Sequence, residues 1–512
     1  MLCRSCPLWV ISIWLAAAAA AQTFFGSIVG TVTDSTGAVV PEAKVTITNL
    51  DTAETHFIAS SPEGFYQFVN LIPGKYKADV QKPGFKRVTR ELITVEVQST
   101  VRIDFPGLEA GVVTQAIEVQ GETPLLQPET SSLGQVVESR KVNELPLNGR
   151  NPLALVALVP GVVPQGTVGG GSTQNPAGQN PFAPGNFQIG GGASNQSAAF
   201  LDGAPLNNAY FNILALVPTQ DSILEFKVQT NNLSAEFGRF AGGVINLTSK
   251  SGSNQYHGSL YEFLRNRVLN ANSFFNNANG VKTPSFTQNQ FGGAIGGPVR
   301  LPRVYNGRDK FFFFANLERY SQRNGIASVF TVPTAAEITG DFSGLRSASG
   351  ALIPVYDPTT TRPDAGKGTG FNIRDPFAGN IIPPTQIDPT SRYLANHHLW
   401  AAPNAAGNAI TNINNWVGNA GAGADSTQFT TRLDANISNK QTFFARYTIW
   451  YTNLLPVDPF ATHVYPIPVA PQRWHNQQII LNDSYTISPT TILNLRGLLA
   501  AVRQPAAAKP GI

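Results

Sequence analysis

The stretch TTRLDANISNKQTFFARYTIWY, residues 430–451, alternates in character on both sides of a short turn at Ser438-Asn439-Lys440. Successive side chains of a strand point to opposite faces. Before the turn, Arg432, Asp434 and Asn436 therefore share one face and Leu433, Ala435 and Ile437 the other. After it, Phe443, Ala445, Tyr447, Ile449 and Tyr451 make a wholly apolar face, and Thr491, Leu493, Leu495 and Leu499 repeat the idea against Asn494 and Arg496. Alternation over about 10 residues with aromatics near the strand ends suits lipid on one side and a polar lumen on the other. A half-buried strand of a soluble sandwich alternates too, so the connections between strands have to decide. Strands are predicted at 256–265, 287–297, 310–321, 426–436, 441–452, 474–486 and 490–500. Their links broadly alternate between long and short, with one very long loop at 322–425, as expected when one rim faces outside and the other the periplasm.

Composition agrees with water-filled polar surfaces. Charged residues are 13% of the 512-residue chain, against a usual share of about 25%, while hydrophobic residues are 42%. Asn, Gln, Ser, Thr and Gly supply the polarity instead. The net charge of +4 comes without a dense Lys/Arg tract, so no nucleic-acid footprint is expected. Residues 1–21 read as a secretory signal peptide: Arg4, an apolar run from Leu8 to Leu15, then small residues to Ala21. Both cysteines, Cys3 and Cys6, lie inside it, so the mature chain is expected to lack thiol chemistry. After Ala21 no apolar run approaches the roughly 20 residues of a membrane helix. An exported chain of this kind is either soluble or an outer-membrane β-barrel.

Three units follow the leader. Residues 24–108 carry short alternating runs separated by turns at Asp34–Gly37, Glu63-Gly64 and Pro73-Gly74, which argues a small β-sandwich. Residues 109–121 form a linker in which Thr114, Gln115, Ala116, Ile117, Glu118, Val119 and Gln120 suit an extended strand able to add to a sheet edge; a plain linker strand is the alternative. Residues 122–250 are mixed, with two short helices expected around Leu145-Pro146-Leu147 and a low-complexity stretch at 166–186. Residues 251–512 hold the long alternating strands.

Residues 24–108 resemble the carboxypeptidase regulatory-like domain, a prealbumin-like sandwich with a carbohydrate-binding-like fold. The matching residues are Gly30, Val32, Asp34, Gly37, Pro41, Ala43 and Val45, then Gly64, Phe65, Tyr66, Phe68, Leu71, Pro73, Gly74, Tyr76 and Gly84. AEFGRFAGGVINLTSKSG (235–252) resembles the plug-to-barrel junction of TonB-dependent receptors, FLDGAPLN (200–207) their plug segment around an Asp-Gly turn, and ELPLNGRN (144–151) the variant of the Oar-like branch. The implied fold is all-β dominated: an N-terminal sandwich, a mixed α/β plug and the first strands of a transmembrane antiparallel barrel. Barrels of this family have 22 strands around a plug. Seven is odd and does not close, so the chain is expected to be a truncated, N-terminal part of one.

The resemblance implies an outer-membrane receptor that imports a scarce extracellular solute, carbohydrate or another large organic ligand, with a periplasmic TonB-type partner and outer-membrane lipid around it. It implies that Thr114–Gln120 is the contact for that partner. It also implies that the plug arginines Arg150 and Arg239 pair with carboxylates of the inner wall, for which Glu262, Glu318 and Asp434 are available; solvated lumen charges are the alternative. Tyr393, Trp400 and Trp416 in the long loop are candidates to contact the ligand, or to order the loop. Tyr261 and Phe263 of the first wall strand are expected to meet lipid. The competing reading is an adhesion or scaffold protein that uses the sandwich and loops without transport.

No constellation for catalysis appears, and no cofactor is implied. The six histidines are scattered outside metal-ligand spacings, with His397-His398 the only adjacent pair. AGKGTG (365–370) lacks the Ser or Thr that a phosphate loop needs after its lysine. Asp202-Gly203 reads first as a turn.

Overall fold

The computed structural model describes residues 24–111, 116–119, 132–165, 186–207 except 194, 212–274 except 213 and 239, 277, 282–397 except 365 and 367–369, 401–455, 460, 472–488 and 491–503. Residues 1–21, read above as a signal peptide, and Thr114, Gln115, Gln120, Arg239 and Trp400 lie outside them.

The first unit is two sheets closed on one core. β1 (Gly26–Asp34) pairs with β4 (Phe65–Leu71), β7 (Thr100–Arg102) and β8 (Phe105–Leu108). The facing sheet runs β3 (Thr55–Ala59), β2 (Lys44–Asn49), β5 (Gly74–Gln81), β6 (Arg87–Val95) and β9 (Ala116–Val119). Alternate residues Val45 and Ile47, Tyr66 and Phe68, and Tyr76, Ala78 and Val80 point into the core, as the period of two requires. Both buried tyrosines find backbone partners, Tyr66 on the Ile103 carbonyl at 2.5 Å and Tyr76 on the Ile72 carbonyl at 2.7 Å. Gly30 is needed where β1 meets the Ile103 carbonyl, since a Cβ there would lie 1.8 Å from that oxygen.

The middle unit is built on the sheet order β10 (Leu133–Val137), β15 (Ile223–Asn231), β16 (Val244–Ser249), β13 (Ala198–Leu201) and β14 (Ala204–Pro205). α1 (Ser139–Glu144) and a 3₁₀ segment at Pro152–Leu158 lie either side of the Leu145-Pro146-Leu147 break, and a small hairpin, β11 (Val162–Gln165) and β12 (Asn186–Ile189), packs beside them. Gly243 sits against Ile189 and the Gln229 carbonyl, where a Cβ would fall 2.1 and 2.5 Å from its neighbours.

The third unit is a seven-stranded antiparallel sheet in sequential order. Its strands are β17 (His257–Asn266), β18 (Phe286–Pro298), β21 (Phe311–Phe330), β24 (Trp416–Ser438), β25 (Gln441–Leu455), β26 (Gln472–Ser488) and β27 (Thr491–Arg503). The hairpin β19 (Arg300–Leu301) and β20 (Tyr305–Asn306) fills the link from β18 to β21. The sheet is open, with β17 and β27 as its outer strands. Six of the seven strands start within a few residues of the positions expected; β24 starts ten residues before its expected 426, and β21 ends nine residues beyond its expected 321. β21 and β24 pair without interruption from Phe311↔Ala435 to Phe330↔Trp416, which shortens the loop to 331–415. The extension on β24 is Gly- and Ala-rich (Gly418, Gly421, Ala422, Gly423, Ala424), so no alternation marks it in sequence. The loop carries α2 (Ala335–Ile338), a two-residue ladder β22 (Arg362–Pro363) with β23 (Asn372–Ile373), and α3 (Pro389–Asn396).

Register sorts the side chains into two faces. Leu260, Gly293, Leu317, Phe429 and Ile449 form one cross-strand row on the outer face, and Phe313, Leu433, Ala445 and Leu481 another. The inner rows include Gln290–Tyr320–Ser426–Thr452 and Phe314–Arg432–Arg446–Ile480. Tyr261 and Phe263 correct the expectation of lipid contact: they pair with Gly292 and Gln290 and share the inner rows of Glu318 and Tyr320. Leu260 and Leu264 hold the outer positions instead.

If the outer face meets lipid, the cost of a charge should depend on its height. Leu433→Arg, in the middle of the apolar band, is expected to destabilise the protein in lipid vesicles by about 2–4 kcal/mol, and Thr427→Arg, near its upper edge, by about 0–1 kcal/mol, read from guanidinium titrations.

Candidate functional site

The middle unit lies against the inner face of the sheet, and its hydrophobic core is shared with it. Val142, Leu153, Val156, Phe226, Val228 and Leu247 cluster with Tyr320, Ala424 and Trp450 of the wall. Around this contact the wall is polar, and two charged groups of the middle unit are received there.

The first is Asp202. It and Gly203 have φ of 52° and 74° and join β13 to β14 as a two-residue hairpin, the conformation that Asp-Gly favours. The turn drives the carboxylate into the wall, where it is wholly buried. Its Oδ1 accepts from the Ser249 backbone N–H at 2.9 Å and its Oδ2 from the Ser249 hydroxyl at 2.8 Å. Two wall guanidiniums face it: Arg432 Nη1 at 3.3 Å from Oδ1, and Arg446 Nε at 3.1 Å from Oδ2. Arg432 is also bound by Asp434 at 2.7 Å and lies over the Phe444 ring, 4.4 Å from its centroid. Arg446 donates to Gln478 at 2.8 Å. Arg496 of β27 donates to the Gly203 carbonyl at 3.2 Å. Arg432, Arg446 and the two aspartates balance in charge, the condition under which burial of ions is tolerable.

The second group is Arg150, in the 3₁₀ turn after Pro146. Its guanidinium is paired with Asp221 of its own unit and lies 3.3 Å from Glu318 of β21. It stacks on the Tyr261 ring at 3.9 Å, and the Tyr261 hydroxyl donates to Glu318 at 2.6 Å. Thr219 donates to Asn316 at 2.6 Å and Gln290 to the Gly149 carbonyl at 3.2 Å beside it.

Of the charged residues singled out from sequence, Arg150 and Glu318 are thus brought together. Asp434 is on the inner face but is held by Arg432. Glu262 is carried on the outer face, opposite Tyr261, because neighbours on a strand point to opposite sides; it is no partner for the middle unit. Among the aromatic loop residues, Tyr393 is 54% exposed and stacks on His397, whereas Trp416 is 7% exposed and packs on Phe330. Trp416 therefore orders the rim and presents no face to a ligand. Ala116–Val119 form β9, paired in parallel with Arg87–Arg90 at the edge of the sandwich. Asp202, Arg432 and Arg446 were not singled out. A buried role for Asp202 has no local signature, because Asp-Gly is equally the commonest turn pair.

The sandwich also touches the middle unit. The Val97 N–H donates to Glu225 at 2.5 Å, Lys227 donates to the Gln98 carbonyl at 2.9 Å, and Asn246 to the Gln98 side chain at 2.6 Å. Phe24, Phe25 and Val97 pack with Ala204 and with Phe444 and Ile480 of the wall. Burial, opposed by the Val97 N–H and reinforced by Glu96 and Glu138, pushes the Glu225 carboxyl up to about 8. Burial pushes Lys227 down.

The chain resembles known proteins along most of its length. The family model for an outer membrane beta barrel domain matches residues 248–510, and that for a carboxypeptidase regulatory-like domain matches residues 27–106. The TonB-dependent transporter Oar of Myxococcus xanthus is 25% identical over 324 residues, which is 60% of this chain and 28% of that protein. The chain thus spans about 28% of the length of the curated relative it matches. Among solved structures, the outer membrane transporter YddB of Escherichia coli aligns at 12% identity and a TM-score of 0.39, over 72% of this chain and 38% of that one. A mutant of the ferric enterobactin receptor PfeA of Pseudomonas aeruginosa, in complex with enterobactin, aligns at 10% identity and a TM-score of 0.39, over 73% and 42%.

Two outcomes are expected. Glu318→Gln leaves Arg150 with Asp221 alone and weakens a charge-assisted contact, so the seat of the middle unit should lose about 1–3 kcal/mol in thermal or chaotrope unfolding. For Glu225, a pKa raised from 4.5 to about 8 means that docking takes up a proton. Docking of the sandwich should be tightest below the exposed-carboxylate pKa and weaken as pH rises through about 8. Glu225→Gln should remove that dependence, read as hydrogen exchange at residues 96–99 across the same pH range.

Proposed function

Because the chain belongs to the outer-membrane β-barrel family of TonB-dependent receptors with an N-terminal carboxypeptidase regulatory-like domain, we infer that the whole protein imports an extracellular solute through a plugged barrel. In this reading residues 122–250 are the plug, the sandwich sits at the periplasmic mouth, and the loop at 331–415 faces outside.

One observation carries the reading: the middle unit is seated on the inner wall through polar and ionic contacts at two places, Asp202 with Arg432 and Arg446, and Arg150 with Glu318. Beside the apolar patch shared with Tyr320, Ala424 and Trp450, such paired contacts hold a plug in one register and exchange for water together when the whole unit moves, so that neither charge is left buried alone. Arg150 and Glu318 act as a retaining contact that is broken when the plug is pulled.

The pull comes from a periplasmic TonB-type protein acting on Thr114–Gln120. Strand addition would give the grip, since main-chain hydrogen bonds along the whole segment supply the affinity. β9 already pairs with β6, so the same edge-adding property is used within the chain. The solute is carbohydrate or another large organic ligand. It is met first by the outer loop, where Tyr393 offers an exposed ring beside a cleft of about 440 Å³ lined by Val332, Glu337, Ile338, Phe342, Ser391 and Ala395.

Deletion of residues 114–120 should abolish energised uptake by the full-length protein while leaving its amount in the outer membrane and its binding of solute at the surface unchanged. Uptake that persists after the deletion removes this segment from the reading.

A further inference from the structure

The outer face changes character at one height on four adjacent strands. Moving away from the short turns, β21 runs Phe311, Phe313, Ala315, Leu317 and then Arg319, Ser321 and Arg323. β24 goes from Leu433, Thr431 and Phe429 to Thr427 and Asp425, β25 from Ile449 to Tyr451 and Asn453, and β26 from Leu481 and Ile479 through Gln477 to His475 and Arg473. Register makes these changes level: Arg319, Thr427, Tyr451 and His475 form one row, and Ser321, Asp425, Asn453 and Arg473 the next. Ile437 to Thr427 is ten residues of strand tilted by about 40°, some 25 Å of height, which is the thickness of the apolar band on a membrane barrel. The arginines therefore stand at the outer-leaflet headgroups, on the side that faces lipid.

Their geometry is prepared for an anion. Asp425 holds two guanidiniums beside each other, Arg323 at 2.7 Å and Arg319 at 3.8 Å, while their side chains remain 51% and 43% exposed. Ser321 donates to the same carboxylate at 2.8 Å, and Arg319 donates to Thr427 at 2.5 Å. Arg473 lies three strands away, roughly 14 Å at the ordinary spacing, and exposed. Between them the Tyr451 ring, stacked on His475 at 4.2 Å, gives an amphipathic floor. One carboxylate against three guanidiniums leaves the patch positive at a level where lipid headgroups are its neighbours, and Arg is the side chain best matched to phosphate.

We propose that Arg319, Arg323 and Arg473 form a binding site for a phosphorylated lipid headgroup of the outer leaflet, with Asp425 positioning the first two. The spacing suits a headgroup that carries two phosphates. The inference rests on the outer face lying in lipid, which the Leu433→Arg and Thr427→Arg pair tests on its own.

The test uses the full chain extracted from outer membranes and stripped of lipid in mild detergent. A bisphosphorylated acylated disaccharide, its dephosphorylated form and inorganic phosphate are titrated separately. The wild type is expected to bind the phosphorylated lipid at least tenfold more tightly than the dephosphorylated one. R319Q/R323Q/R473Q should lose that preference, R319K/R323K/R473K should keep most of it and so report that the fold survives, and Arg308→Gln at the opposite rim should change nothing. Equal binding of both lipids, or an unchanged preference in the glutamine variant, overturns the proposal. Displacement of the lipid by equimolar inorganic phosphate also overturns it, since the site would then serve phosphate in solution.

Discussion

A carboxylate without access to water keeps its charge only where the surrounding protein answers it. Asp202 is such a group, and its answer comes from two different wall strands, Arg432 on β24 and Arg446 on β25. Those two arginines are direct cross-strand partners, so a single register serves both. Slipping β24 by one residue would turn Arg432 and Asp434 outward and bring Leu433 in, since the side-chain period is two. The two-faced sheet and the buried charge are thus one constraint seen from both sides.

From this point the rest of the architecture is placed. The Asp202-Gly203 hairpin fixes β13 and β14, and β13 pairs in parallel with β16, so the middle sheet takes its position from the wall. Arg150 and Glu318 make a second contact on β21, which leaves the middle unit little freedom to rotate about the first. The sandwich is seated in turn, through the Val97–Gln98 turn on β15 and β16 and through Phe24 and Phe25 beside Phe444. The first contact is deeply buried and neutral overall, the second lies nearer to water and includes a hydroxyl, and the third contains a carboxyl that binds a proton.

Much of the wall was legible in the sequence because alternation over ten residues is a direct consequence of strand geometry in a two-solvent setting. β25 is the clearest case: Phe443 to Tyr451 read as one apolar face, and they share one face in the structure. The start of β24 was not legible, since Gly and Ala carry no polarity to alternate, and the end of β21 was not, since Gln322 to Phe330 passes from three polar residues to a mostly apolar run instead of alternating. Tyr261 and Phe263 were misread because an aromatic on a wall strand is as much at home stacking under an arginine of the middle unit as in lipid; only register separates the two. Arg150 could be singled out from its motif, but its partner Glu318 lies 168 positions further along the chain. Asp202 was hidden by its own turn chemistry, which explains the residue completely at the local level and says nothing of what lies beyond it.

The account depends most on Asp202 being held by the wall. A double-mutant cycle of Asp202→Asn, Arg446→Met and the pair, followed by unfolding of the membrane-embedded protein, measures that directly. The account predicts that each single change costs about 3–5 kcal/mol, because it strands a buried charge, and that the double variant is more stable than the sum of the single losses implies, by at least about 1.5 kcal/mol. Single effects that add to within about 0.5 kcal/mol would contradict it, because the middle unit would then owe its place to something other than this pair.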